Sequence, residues 1–67
     1  MQLYEALLIN DVDKVKTLID HGADPNTTVE HPIFGSSKSI DVFRNTLENP
    51  FNPKWNEIND YLIKSNF

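Results

Sequence analysis

The fold is decided by the stretch VDKVKTLIDHGADPN at positions 12–26. From Val12 to Ile19 the apolar residues recur at i, i+3, i+6 and i+7, which is the spacing of one helix face. Gly22 suits the left-handed residue that follows many helices, and Pro25 cannot continue a helix. We therefore predict a helix that begins at about Val12 and ends just before Gly22.

A shorter helix is predicted before this stretch, from Leu3 to Ile9. Its apolar residues fall at i, i+3 and i+4, and Asn10 and Asp11 then supply turn and N-cap chemistry. Two short helices joined by about two residues must lie antiparallel. We therefore expect the N-terminal half to form a helical hairpin.

The C-terminal half carries weaker signals. Residues 22–32 are rich in turn formers and contain three consecutive β-branched residues, which indicate an extended finger with tight turns. A weak helix is predicted over 32–48, with a proline in its first turn. A loop follows between Pro50 and Pro53, and a last helix is predicted over 54–65. The pattern favours an all-α fold.

The stretch Leu3–Asn26 resembles the ankyrin repeat, a unit of about 33 residues with a T-P-L-H-x-A signature. Residues 3–6 (Leu-Tyr-Glu-Ala) fill the L-H-x-A part of that signature. Asn10 falls where the turn between the two helices usually has glycine. Residues 21–26 read H-G-A-D-P-N, against the usual family ending H-G-A-D-x-N.

A second, degraded copy of the repeat is identified over His31–Phe67. Residues 31–36 align with T-P-L-H-x-A, and residues 57–66 align with residues 13–22 at an offset of 44. Because the family repeat has about 33 residues, about eleven extra residues are expected within Ser37–Pro53.

Some residues of the second copy depart from the family pattern. His31 and Phe34 replace the threonine and histidine whose mutual hydrogen bonding normally steadies the turn. Asn59 stands at a position that is apolar in the first copy, so a rotated last helix is one expectation. Asn66 replaces Gly22, and asparagine is the next-best residue for a left-handed position.

The resemblance implies an all-α fold in a single domain over residues 1–67. Two stacked helix-turn-helix repeats, over residues 1–30 and 31–67, would be joined by an extended finger loop. Proteins of this family bind other proteins through the finger and the concave helix face, and the resemblance implies neither catalysis nor a cofactor.

Candidate protein-binding residues lie mainly in the finger. They are Asp24, Asn26, Thr27, Thr28, Glu30 and Phe51. Phe51 is outside the finger, in the loop between two prolines. It is expected either to fold back as a cap on the open end of the stack or to anchor a partner.

Composition limits the possible partners. The chain has 67 residues, no cysteine and a net charge of −4, and residues 1–30 carry this whole excess of acid. A core of this size seldom supplies more than ~3–5 kcal/mol without a staple. The charge argues against direct binding of nucleic acid, which needs clustered lysine and arginine. The acidic half indicates either a surface for a basic partner or solvated helix faces.

The sequence contains no recognisable catalytic pattern. It has two glycines and therefore no glycine-rich phosphate loop, and it supports no Ser/His/Asp or Cys/His arrangement. His21, Asp24 and His31 are a conceivable metal set, but His21 has an ordinary structural place at a helix end. We predict that the protein is not an enzyme and uses no cofactor or metal.

The sequence also gives an expectation for location. No run approaches the ~18 apolar residues that a membrane-spanning helix needs, and no basic segment precedes an apolar stretch. We predict a cytoplasmic protein that does not bind membranes.

Two functions fit these observations. The first is a small ankyrin-like adaptor that binds a protein partner. The second is an immunity protein, or a phage or mobile-element inhibitor, that occupies the functional surface of a host or toxin protein. We also predict that the N-terminal helix pair meets a second copy in a homodimer, or a partner protein in the same place, because Leu8, Ile9 and Val12 have no earlier repeat to cover them.

Overall fold

A computed structural model describes residues 2–67 of the chain. These residues form four helices and one β-hairpin. The elements are α1 (Gln2–Leu8), α2 (Val12–Asp20), β1 (Thr28–His31), β2 (Gly35–Lys38), α3 (Ser39–Asn45) and α4 (Pro53–Lys64). Helix α1 packs against α2 and α3, α2 packs against α4, and β2 lies against α3. The second pair of helices is thus set beside the first, with the hairpin between them in the sequence.

The expectation of an all-α fold is wrong, because residues 28–38 form a two-stranded antiparallel sheet. The predicted finger, residues 22–32, supplies only its first strand and the start of its turn. Thr28 pairs with Lys38 at one end of the hairpin, and His31 pairs with Gly35 at the other. The β-branched residues at the start of β1 favour extended backbone. Each strand then satisfies main-chain groups of the other, which a single extended loop could not do. The protein is therefore mixed α and β.

The predicted helix over 32–48 begins too early. Residues 32–34 form the hairpin turn, and Gly35 has a φ of +70°, which an α-helix cannot include. Helix α3 begins only at Ser39. Residues 31–36 therefore do not begin a helix, and their alignment with the T-P-L-H-x-A helix start is wrong.

The start of α3 is fixed by the loop that precedes the hairpin. Its N-cap residue, Lys38, makes no side-chain capping bond. Instead, the main-chain N–H groups of Ser39 and Ile40 donate to the carbonyl oxygens of Thr27 (3.0 Å) and Pro25 (2.9 Å). These bonds satisfy donors that a helix start leaves unpaired. The bonds thereby hold the chain just after β2 against the chain just before β1.

Helix α2 agrees closely with its prediction. The Asp11 side chain caps its start by accepting a hydrogen bond from the Lys14 N–H (3.3 Å), and the helix ends before Gly22, whose φ is +93°. The last helix is also confirmed, to within a residue at each end. Asn52 caps it and Pro53 takes its first position.

One apolar core joins all four helices. Its buried members are Leu3, Ala6, Leu7, Val15, Ile40, Phe43, Trp55, Ile58 and Leu62. The rings of Phe43 and Trp55 stack with their centroids 5.1 Å apart, and the Trp55 indole N–H donates to the Phe43 carbonyl oxygen (3.2 Å). A buried indole N–H needs such an acceptor. Both aromatic residues therefore belong to the core.

Candidate functional site

The tip of the hairpin exposes two large apolar side chains. Ile33 is 81% exposed and Phe34 is 62% exposed. Both lie in the turn that joins β1 to β2, which is the tip of the hairpin. Adjacent exposed apolar residues at the end of a projecting element are typical of contact surfaces rather than of a folded core.

His31 holds this turn in place. Its Nδ1 atom accepts hydrogen bonds from the main-chain N–H groups of Ile33 (3.1 Å) and Phe34 (3.2 Å). Aspartate and asparagine make the same kind of turn with a side-chain oxygen. The imidazole also contacts the Phe34 ring, with the centroids 4.9 Å apart. The orientation of the tip is therefore set by a side chain at the end of β1.

The two faces of the hairpin have different characters. Since side chains alternate along a strand, the paired residues Val29 and Ser37 lie on one face with His31, and Glu30 and Ser36 lie on the other. The first face is partly buried and the second is exposed. On the exposed face the Ser36 hydroxyl donates to the Glu30 carboxylate (2.7 Å).

A cleft of about 230 Å³ lies between the partly buried face, the tip and helix α3. It is lined by Phe34, Ser37, Asp41, Val42, Asn45 and Thr46. Val42 is only 2% exposed, yet it stands outside the core cluster formed by the other buried residues. Val42 therefore lies buried behind a small apolar site that is separate from the core, and the Phe34 ring provides the exposed apolar surface of this site.

Asp41 is the charged residue among those that line the cleft. Its side chain is exposed, and its carboxylate makes no hydrogen bond or ion pair within residues 2–67. A free carboxylate beside an apolar wall gives the cleft a negative rim. This rim can receive a donor or a cation from outside the chain.

Three of the candidate residues, Asp24, Asn26 and Thr27, form a hydrogen-bonded turn just before β1. The Asp24 carboxylate accepts a hydrogen bond from the main-chain N–H of Asn26 (2.9 Å). The Asp24 carbonyl oxygen accepts one from the main-chain N–H of Thr27 (3.2 Å). The Thr27 hydroxyl also donates to the Asp24 carbonyl oxygen. These three residues organise the approach to β1. They do not line the cleft.

The other candidates lie apart from the cleft as well. Thr28 and Glu30 are on the exposed face of the hairpin. Phe51 is in the loop between α3 and α4 and is 93% exposed, so the expectation that it caps the stack is wrong. Its open position leaves the expectation of a partner anchor in place.

Sequence reasoning missed Phe34, Asp41 and Val42. The signal was an adjacent pair of large apolar residues, Ile33 and Phe34, between a proline and a glycine. Such a pair in a tight turn cannot be buried by its own element. The helix assigned to this stretch hid that signal.

The part of the chain that the structure describes has neither a metal-binding cluster nor a membrane-spanning helix. Across residues 2–67, no three histidine, aspartate or glutamate side chains come close enough to hold a metal ion. Over the same range, no helix has the length and apolar character to cross a membrane.

Comparisons with known proteins add no relative. The chain matches no protein-family model, no curated protein and no solved structure.

Proposed function

We propose that this protein is a small cytoplasmic protein-interaction module of the ankyrin type, which binds a protein partner through its hairpin and the adjoining cleft. The observation that carries the proposal is the exposed Ile33–Phe34 tip, held by His31 beside a separate apolar cleft. Aromatic side chains at the centre of a contact surface commonly carry much of the binding free energy.

The size of the cleft favours a protein ligand over a small molecule. Small-molecule pockets typically have volumes of about 300–1,000 Å³. At about 230 Å³, the cleft is smaller than this range and has room for one large side chain of a partner. Its exposed tip extends the surface beyond the cleft, as a protein contact requires.

The ankyrin assignment is supported by the way the helices end. Helix α2 ends with Gly22 in a left-handed conformation, and α4 ends with Asn66 in the same conformation. At both ends, one N–H donates to the carbonyl three residues earlier and the next N–H to the carbonyl five residues earlier. The alignment of residues 57–66 with residues 13–22 predicts this equivalence.

The proposal is tested by capture of partners from cells of the source organism. Tagged wild-type protein is compared with Phe34→Ala and with the matched control Ile63→Ala, which removes a large exposed apolar side chain from α4. We expect a specific partner that the wild type and the control retain and that Phe34→Ala loses. If every specific partner binds Phe34→Ala as well as the wild type, the proposed surface is wrong.

A second copy of the chain is proposed as a further partner at a different surface. Leu8 is 43% exposed and Ile9 is 71% exposed at the end of α1, whereas Val12, expected to be uncovered with them, packs partly buried against the core. Neighbouring apolar residues of this kind favour association through a closed twofold contact. This contact is separate from the hairpin cleft, so a dimer keeps two partner-binding surfaces.

A further inference from the structure

We propose that the cleft binds a peptide segment in which one large apolar side chain stands beside a lysine or arginine. This inference rests on the proposed function, because it names the chemistry of the partner segment. Its two halves come from two features of the cleft, the apolar pair Phe34 and Val42 and the free carboxylate of Asp41.

The apolar half follows from the shape and the lining. Phe34 presents a ring that is 62% exposed, and Val42 lies buried beside the same cleft. Ser37, Asn45 and Thr46 supply the remaining polar lining. A volume of about 230 Å³ takes one large side chain, such as leucine, methionine or phenylalanine. That side chain would cover the Phe34 ring and remove its apolar surface from water.

The basic half follows from charge complementarity. Asp41 is exposed at the cleft without a cationic partner. Arg44, on the same helix, is engaged elsewhere, because its guanidinium donates to Asn59 (3.0 Å) and to the Phe67 carbonyl oxygen (2.7 Å). The excess negative charge of the chain lies in residues 1–30, so the complementarity at the cleft comes from the Asp41 carboxylate itself.

His31 prepares the cleft for its ligand. Because its Nδ1 accepts two main-chain hydrogen bonds and its ring contacts Phe34, the apolar wall is already ordered before binding. A preordered surface loses less conformational freedom when the ligand binds. His31 is therefore a positioning residue that acts through Phe34.

The experiment selects peptides from a phage-displayed library of random dodecapeptides on the wild-type protein. Selected peptides are synthesised, and their dissociation constants are measured by fluorescence anisotropy. We expect enrichment of peptides with a large apolar residue within two positions of a lysine or arginine. Phe34→Ala should weaken binding about tenfold or more, corresponding to 1.4 kcal/mol. Ile63→Ala, at an exposed site on α4, should leave it unchanged.

A charge exchange tests the basic half separately. Asp41→Lys should weaken binding of the selected basic peptides, and replacing their basic residue by glutamate should restore binding to Asp41→Lys. Asp60→Lys is the matched control, since it changes the net charge equally at an exposed site on α4. Circular dichroism and melting midpoints confirm that the variants remain folded.

The outcomes separate this inference from the proposed function. Peptides that need Phe34 but are neither basic nor sensitive to Asp41→Lys would overturn the stated partner chemistry and leave the interaction module intact. A selection that yields no Phe34-dependent peptide would overturn the inference altogether. The capture of cellular partners would then decide the proposed function by itself.

Discussion

Gly22 and Asn66 lie 44 residues apart and adopt the same left-handed backbone conformation, with φ of +93° and +69°. Each follows a helix that ends with the same pair of main-chain hydrogen bonds. Asparagine is one of the few residues other than glycine that tolerates this conformation. Glycine at one helix end and asparagine at the other therefore adopt the same left-handed conformation.

The first prediction concerns Gly22. Gly22→Val should lower the free energy of unfolding by about 1–2 kcal/mol, because a Cβ is disfavoured in the left-handed region. Outside Gly22 and the two residues beside it, no atom lies within 4 Å of the position of that Cβ, so the cost of the Cβ is one of backbone conformation. The melting midpoint should fall by roughly 4–8 °C per kcal/mol. Gly22→Asn, which copies Asn66, should lose clearly less, and an unchanged midpoint in Gly22→Val would refute the argument.

The second prediction concerns Arg44 and Asn59, which join α3 to α4. The Arg44 Nε donates to the Asn59 side-chain oxygen (3.0 Å), and its Nη1 donates to the Phe67 carbonyl oxygen (2.7 Å). Arg44→Ala and Asn59→Ala should each lower the free energy of unfolding by about 1–2 kcal/mol, because each leaves partly buried polar groups without partners. The double variant should lose less than the sum, by about 0.5 kcal/mol or more.

Urea denaturation of the wild type, the two single variants and the double variant measures this coupling. Strict additivity would show that the hydrogen bond contributes nothing. The same pair gives the polar residue at position 59 a structural role, although Val15, at the aligned position of α2, is apolar. The guanidinium reaches Asn59 from α3, a contact that no local sequence pattern reveals.

The N-terminal half could be predicted because its signals are local. Helix α2 has an apolar face of helical spacing, Asp11 at its start and Gly22 at its end. These features act within a few residues of one another. No partner element is needed to interpret them.

The hairpin and the cleft could not be predicted in the same way. Strand β2 reads Gly-Ser-Ser-Lys, which has little strand propensity. It becomes a strand because β1 supplies its main-chain partners and because Thr27 and Pro25 fix the start of α3. The cleft then arises from packing of the finished hairpin against α3. Neither the pairing of β1 with β2 nor the packing of the hairpin against α3 can be inferred from composition or from the spacing of apolar residues.

The third prediction concerns Tyr61 of α4, whose hydroxyl donates a hydrogen bond to the carboxylate of Asp20 on α2. This hydrogen bond, followed by burial and by the Asp20 charge, raises the pKa of Tyr61 above its usual value of 10.0. The folded chain therefore holds the phenolic proton more tightly than the unfolded chain. The resulting stability is complete below about pH 10 and is lost as the pH rises through the higher folded pKa.

Ultraviolet absorbance of tyrosinate measures this titration in a Tyr4→Phe background, where Tyr61 is the remaining tyrosine. We expect the folded midpoint to lie above that of the chain in denaturant, and Asp20→Ala to bring the two together. Between about pH 9 and pH 11, Tyr61→Phe should lose less stability than the wild type. Equal midpoints in the folded and denatured chains would contradict the prediction.

The fourth prediction concerns the proposed dimer at Leu8 and Ile9. Sedimentation at micromolar concentration should show a dimer, and its melting midpoint should fall on dilution, since dissociation and unfolding are then linked. Leu8→Glu and Ile9→Glu should each give a monomer, because a carboxylate on either side chain loses its hydration in the contact. Ile63→Glu is the matched control, since Ile63 is 58% exposed on α4.

A closed twofold contact also predicts how association stops. Both protomers use the same Leu8–Ile9 surface, so a dimer leaves no free copy of it and the assembled mass should not increase with concentration beyond two chains. Growth to larger assemblies would instead indicate an open, head-to-tail contact. The dimer would be refuted by a monomer that stays folded on dilution and whose stability is unaffected by Leu8→Glu and Ile9→Glu. A second copy of the chain would then not be the partner of this apolar surface.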